Sequence, residues 1–67
     1  MKDLEKDFTY HAPKGNQPER YAVLRNQGRV FAEFIEAEVP ESREKSLAFT
    51  KLEEAIFWAN AGIARNE

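Results

Sequence analysis

The residues best suited to bind a ligand are aromatic and cationic side chains in the first half of the chain. They are Phe8, Tyr10, His11, Lys14, Arg20, Arg25 and Arg29. Aromatic rings stack on nucleobases and arginine pairs with phosphate through two parallel hydrogen bonds, so this combination favours a nucleotide ligand. Two other interpretations stay open: Tyr10 and His11 could hold a loop against the helices, and the arginines could pair with acids of another chain. Glu33, one helical turn after Arg29, could also neutralise that cation locally.

Arrangements for catalysis or metal binding are missing from the sequence. His11 is the one histidine and there is no cysteine, so neither a Ser/His/Asp nor a Cys/His nucleophile can be completed in the usual way. Glu53 and Glu54 are adjacent, and the helical period points them about 100° apart. We interpret them as a solvated face and not as a paired-carboxylate site. We therefore expect no enzyme, no metal site and no cofactor.

The length and net charge of the chain further limit the class of protein and the partners that it can have. The chain has 67 residues, a net charge of −2 and 33% charged residues, which is typical of one soluble domain. Because non-specific binding to long nucleic acid usually needs an excess of basic residues, this composition argues against it. No apolar run approaches the roughly 20 residues that cross a bilayer, so we expect no membrane partner. The charged start MKDLEKDF lacks the apolar core of a signal peptide, and the absence of cysteine is compatible with a reducing cytoplasm.

The elements that must position these residues are two helices. Pro18 suits the first position of one helix, Ser42 suits the N-cap of the other, and Pro40 breaks the chain between them. Before the helices, Leu4 and Phe8 lie four residues apart and could dock on another surface. The break at Pro40 leaves only a short connection between the two helices. Such a connection predicts an all-α, antiparallel two-helix hairpin. The predicted segments are a short N-terminal segment (1–8), a loop (9–17), a first helix (18–38) and a second helix (42–66), in a single domain (1–67).

These helices carry more apolar surface than one hairpin can cover. On the second helix, residues spaced three and four apart form a seam. It consists of Phe49, Leu52, Ile56, Ala59 and Ile63. On the first helix, an apolar row lies about 100° away from the face that would meet this seam. It consists of Val23, Val30, Phe34 and Ala37, and further apolar residues outside the seam are Leu47, Phe57 and Trp58. A chain this short buries only roughly 60% of its surface alone, so we predict a compact homo-oligomer.

Two runs of the sequence, FTYHAPKGNQPERYAVLR and VPESREKSLAFTKLEEAIFWANAGIARNE, resemble a known family. They are similar to the small phage-encoded anti-CBASS proteins that act as cyclic-nucleotide sponges, whose helical-hairpin domain is shared with a sponge that opposes Thoeris defence. The resemblance implies a hexamer that binds cyclic dinucleotides such as cyclic GMP-AMP in pockets between protomers. In some members, cyclic trinucleotides bind at separate pockets related by threefold symmetry. The implied activity is sequestration of an immune signal, without cleavage, in the host bacterial cytoplasm.

The resemblance also implies roles for particular residues. Members of the family hold the dinucleotide with a tyrosine of the N-terminal loop and a basic residue of the following helix, which match Tyr10 and Arg25 here. The basic residue is commonly lysine, and Arg29 is a second candidate for the same role. The remaining candidates are Phe8 and His11 in the same pocket, and Arg65 in a separate cyclic-trinucleotide pocket.

Two alternatives belong to other functional classes. A small structural or regulatory oligomer could bind a host protein through exposed Phe57 and Trp58, and a test of cyclic GMP-AMP binding would distinguish it. An enzyme that hydrolyses cyclic nucleotides is the second alternative. The single histidine and the missing metal motif argue against such an enzyme, and recovery of intact nucleotide from the protein would distinguish it.

Overall fold

A computed structural model describes residues 7–67 as an antiparallel pair of helices. Helix α1 spans Gln17–Glu38 and helix α2 spans Arg43–Asn66. Residues 7 and 8 are helical, and 9–16 lead into α1 without regular secondary structure. The prediction of an all-α hairpin is confirmed for the described residues. Most of the predicted N-terminal segment 1–8, including the proposed docking of Leu4, lies outside them.

The start of α1 is fixed by a small backbone turn. Gly15 adopts a positive φ of 52°, and the Gln17 amide donates to the carbonyl of Lys14 at 2.9 Å. In return, the Lys14 amide donates to Oε1 of Gln17 at 3.0 Å. Asn16 occupies the N-cap position without a capping hydrogen bond from its side chain. Because Gln17 closes this turn, α1 begins one residue before the predicted start at Pro18.

The connection between the helices follows from two local preferences. Val39 is extended, with φ −109° and ψ 128°, as expected for a residue before proline. Ser42 then acts as the N-cap of α2, because its hydroxyl oxygen accepts a hydrogen bond from the Lys45 amide at 3.1 Å. The same hydroxyl donates to the carbonyl of Pro40 at 3.0 Å. The predicted N-cap at Ser42 is therefore confirmed.

Replacing Ser42 with alanine should lower the free energy of unfolding by about 1 kcal/mol, since the capping acceptor for the first turn of α2 is lost. Ser46→Ala is the matched control, because Ser46 is exposed on the same helix and its hydroxyl makes no hydrogen bond in the described residues. Urea unfolding of both variants measures the difference. Equal stability of the two variants would contradict a capping role.

Lys45 joins the two helices at the closed end of the hairpin. Its side chain is 5% exposed, and its ammonium group donates to three oxygens. These are the Glu36 carbonyl at 3.1 Å, Glu36 Oε1 at 3.1 Å and Glu41 Oε1 at 2.7 Å. The hydrogen bond to Glu41, and then the one to Glu36, raises the pKa of Lys45. One cation thus connects the last turn of α1, the connecting segment and the first turn of α2.

Gly28 lies where α1 packs against Ile56 of α2. It is buried, and a Cβ atom at this position would lie 2.9 Å from Cγ1 of Ile56. Such a distance is shorter than a normal carbon–carbon contact, so a larger residue here would force Ile56 or the helix backbones to shift. The absence of a side chain at Gly28 therefore leaves room for Ile56 of α2.

The hairpin by itself encloses no apolar core. In residues 7–67, no hydrophobic side chain is fully buried, and Phe34, Phe57 and Trp58 are 61%, 58% and 57% exposed. Apolar surface of this extent is unusual on a monomeric soluble protein. Neither described helix combines the length and the apolar character that a membrane span requires.

Candidate functional site

A groove of about 510 Å³ runs between the two helices. We call it the central groove. It is lined from α1 by Arg25, Gly28, Arg29 and Ala32, and from α2 by Phe49, Leu52, Glu53 and Ile56. The volume lies within the range of small-molecule sites, about 300–1,000 Å³. Its floor is apolar and its charged residues are exposed. The groove therefore offers an apolar surface for a flat ring and charged side chains for the charged groups of a ligand.

The cations of the central groove have no partner among residues 7–67. Arg25 and Arg29 lie one turn apart on α1, and neither forms an ion pair or hydrogen bond in the described residues. Glu33 was considered as a local partner of Arg29, but it forms no ion pair there and lines a different groove with Val30 and Phe34. Both guanidinium groups are therefore available to an anionic ligand.

The predicted aromatic residues do not line the central groove of the same chain. Phe8 and Tyr10 are both 83% exposed, and His11 is half-buried in the segment before α1. The fold thus brings Arg25 and Arg29 together on one groove and leaves these aromatic side chains outside its lining.

Two further cations near the start of α1 already have a partner in the same chain. Arg20 donates two hydrogen bonds to the Glu67 carboxylate, at 2.7 and 2.9 Å, and Lys14 Nζ donates to the Glu67 carbonyl at 2.9 Å. Gln17 adds a fourth hydrogen bond, from Nε2 to Glu67 Oε1 at 3.3 Å. We call these four residues the Glu67 clasp. The hydrogen bonds from Arg20, and then from Gln17, lower the pKa of Glu67.

Loss of the Glu67 charge should make the hairpin less stable in a pH-dependent way. A lowered pKa in the folded state means that the clasp stabilises the fold above the ordinary value of 4.5, and that this contribution is lost as pH falls through the lower folded value. We expect Glu67→Gln to melt below the parent at neutral pH and to converge with it once the pH has fallen below the lowered folded-state pKa of Glu67. Glu38→Gln is the control, because Glu38 is exposed and pairs with nothing in the described residues. A pH-independent difference between the parent and Glu67→Gln would contradict the role of the clasp.

Arg65 occupies a different position from the central groove. Its Nη1 lies 3.6 Å from Oδ1 of Asp7, and its guanidinium carbon lies 5.9 Å from the centroid of the Trp58 ring. Trp58 in turn meets Phe57 edge-to-face, with ring centroids 5.1 Å apart. Arg65 is half-buried and already has one carboxylate partner, unlike the two arginines of the groove.

Sequence reasoning missed two residues, Glu53 and Glu67. Glu53 is exposed, as the interpretation as a solvated face predicts, and it also lines the central groove together with the arginines. Its spacing was an available signal, because Glu53 follows Phe49 by four residues and precedes Ile56 by three, which places it beside the seam. Glu67 meets Arg20 across 47 positions of sequence, and no local pattern indicates that pairing.

In the described part of the chain, no group of three or more histidine, aspartate or glutamate side chains is placed to hold a metal ion. What the fold and the site define is a small helical hairpin with a cation-bearing groove, suited to an anionic ligand with flat apolar parts. The family model for the Acb2/Tad1 hairpin domain matches residues 1–64, and the chain belongs to this family. This confirms the resemblance to the anti-CBASS and anti-Thoeris sponges. No curated protein and no solved structure matches the chain.

Proposed function

We propose that this protein is a phage anti-defence sponge that binds cyclic dinucleotides, such as cyclic GMP-AMP, and withholds them from CBASS effectors without degrading them. Its family implies the binding of small cyclic nucleotide signals. The unpaired Arg25 and Arg29 on the apolar central groove are the observation that carries the proposal to particular residues. The site of action would be the host bacterial cytoplasm, where these signals are made.

The central groove suits the chemistry of a cyclic dinucleotide. Such a ligand has two phosphates and two flat bases, and it needs both cations and apolar surface. Arg25 and Arg29 are separated by about 6 Å along α1, at about 1.5 Å per residue. Each guanidinium group can bind a phosphate through two hydrogen bonds. Arg25 is our first choice for this contact and Arg29 is the second.

The aromatic part of the site would come from a neighbouring copy. Tyr10 is 83% exposed and does not line the central groove of its own chain. In an oligomer, the segment 7–16 of one copy could reach the groove of another and stack Tyr10 on a base. Phe8 and His11 would line the same pocket. A site shared between subunits would explain why the isolated hairpin carries only the cationic half.

Replacing Tyr10 with alanine should weaken cyclic GMP-AMP binding by about 5- to 150-fold, since stacking of a base on an aromatic ring contributes about 1–3 kcal/mol. Tyr10→Phe is the matched control, because it keeps the ring and removes the hydroxyl. Calorimetric titration of both variants gives the comparison. Parent-like binding by the alanine variant would exclude Tyr10 from the site.

The exposed apolar surface supports an assembled state, and family membership favours a hexamer. With no hydrophobic side chain fully buried in residues 7–67, the hairpin gains stability from covering these faces with other copies. In such an assembly, Arg65 could exchange Asp7 for a ligand phosphate and contribute to a second pocket for cyclic trinucleotides. Several copies of Arg65 would have to meet around a symmetry axis.

Sequestration requires affinity and abundance but no turnover. Each bound nucleotide is one fewer molecule available to the effector, so the dissociation constant must lie near or below the concentration of the signal. We therefore propose that the protein is not an enzyme. The groove binds the nucleotide and shields it from the effector, and the ligand leaves chemically unchanged.

The test combines binding with recovery of the ligand. Purified protein is titrated with cyclic GMP-AMP in a calorimeter, then denatured, and the released nucleotide is analysed by chromatography. Saturable binding with intact nucleotide supports the sponge, whereas a linear product would identify an enzyme. Absence of binding to a panel of cyclic di- and trinucleotides would favour the second candidate, an oligomer that binds a host protein through Phe57 and Trp58, which are more than half exposed.

A further inference from the structure

The central groove contains an acidic residue, Glu53, that binding of an anionic ligand alone would not require. Glu53 extends from α2 on the side opposite Arg25 and Arg29, and it is exposed. It forms no ion pair or hydrogen bond in the described residues, although two arginines line the same groove. Its neighbour Glu54 differs, because its Oε2 lies 3.5 Å from Nζ of Lys51. Glu53 is therefore an unused hydrogen-bond acceptor facing the proposed ligand.

The chemistry of a carboxylate selects one kind of base. An ionised glutamate only accepts hydrogen bonds, and it can accept two side by side. Guanine presents two adjacent donors on its Watson–Crick edge, N1–H and the N2 amino group. Adenine presents the N6 amino donor beside N1, whose lone pair would face the carboxylate. A carboxylate in the groove therefore gains two charge-assisted hydrogen bonds from guanine and loses one of them with adenine.

We propose that Glu53 reads the guanine base, so that the central groove prefers guanine-containing cyclic dinucleotides over those that contain only adenine. This inference rests on the proposed function and adds the specificity of the same site. The arginines would hold the phosphates, which every cyclic dinucleotide shares. Phe49 and Ile56, on the same side of the groove, supply apolar surface against which the base can lie.

The test compares cyclic di-GMP with cyclic di-AMP on the parent and on two charge-matched variants. Glu53→Gln keeps the shape of the side chain but presents one acceptor and one donor, which complement adenine N6 and N1. Glu54→Gln removes the same charge from the adjacent position, outside the groove lining. The readout is the ratio of the two dissociation constants at fixed salt, because a general electrostatic change affects both ligands equally and cancels in the ratio.

We expect the parent to bind cyclic di-GMP about tenfold or more tightly than cyclic di-AMP. Glu53→Gln should remove this preference or reverse it, and Glu54→Gln should keep it. A parent that binds both nucleotides equally, or a Glu53→Gln variant with an unchanged ratio, would overturn the inference and leave the sponge function intact. Failure of the folded parent to bind either nucleotide, or cyclic GMP-AMP, would overturn the proposed function together with the inference.

Discussion

Replacing Arg25 with alanine should weaken cyclic GMP-AMP binding by about 10- to 150-fold, the largest effect that we expect from a single groove residue. A hydrogen bond to a charged group contributes about 1.5–3 kcal/mol, and about 1.4 kcal/mol corresponds to a factor of ten. Arg25 has no partner in the described part of the chain, so its loss leaves no unpaired acid behind. The whole effect should therefore appear in the dissociation constant, measured by calorimetry at fixed salt.

Three comparisons make this result specific. Arg43→Ala removes the same charge from an exposed position on α2 that does not line the central groove, and it should bind like the parent. Arg25→Lys keeps the charge and loses the two-pronged geometry, so an intermediate affinity is expected. Arg29→Ala decides between the two candidate arginines. If the Arg25→Ala variant stays assembled and binds like the parent while Arg29→Ala does not, the phosphate contact belongs to Arg29.

The architecture was largely predictable because local chemistry determines it. Pro18, Pro40 and Ser42 indicate where the helices begin and end. In the structure Ser42 caps α2 as predicted, Pro40 lies between the helices, and α1 begins one residue before Pro18. The periodic apolar seam includes Ile56, which packs against Gly28 of α1. Such signals depend only on neighbours within a few positions along the chain, which a single sequence displays directly.

The candidate site was less predictable because it depends on pairing across the hairpin. The i to i+4 spacing of Arg29 and Glu33 allowed a local ion pair, but the structure leaves these two side chains on different grooves. The sequence indicates Arg20 as one of the cations suited to a ligand, but in the structure Arg20 pairs with Glu67. The register between the two helices decides which charged side chains meet. The amino-acid composition carries no information about that register.

A second gap concerns Tyr10, whose predicted role requires another subunit. The family resemblance joins a loop tyrosine to a helix cation, but in one chain the exposed Tyr10 does not line the groove that contains Arg25. A pocket shared between protomers removes this discrepancy. Binding would then depend on assembly, so changes to the apolar faces should affect ligand affinity as well as stability.

Replacing Phe34 with glutamate should therefore break the proposed homo-oligomer. Phe34 is 61% exposed on α1 and lines an open apolar groove with Val30 and Ala37. Burying a phenylalanine side chain contributes about 1.5–3 kcal/mol, so each lost contact should weaken association by about 10- to 150-fold. A buried carboxylate adds a further desolvation cost. Light scattering after size exclusion should show smaller species, and circular dichroism should show a lower melting temperature.

Phe34→Leu is the matched control, because it keeps an apolar side chain at the same position and should retain the mass of the parent. The sponge proposal predicts a further consequence, since a pocket that takes Arg25 from one copy and Tyr10 from another cannot form in a lone hairpin. Phe34→Glu should thus lose cyclic GMP-AMP binding although every groove residue is intact. Full binding by a monomeric variant would show that a single hairpin is sufficient, and a glutamate variant with the mass of the parent would show that this face is not an interface.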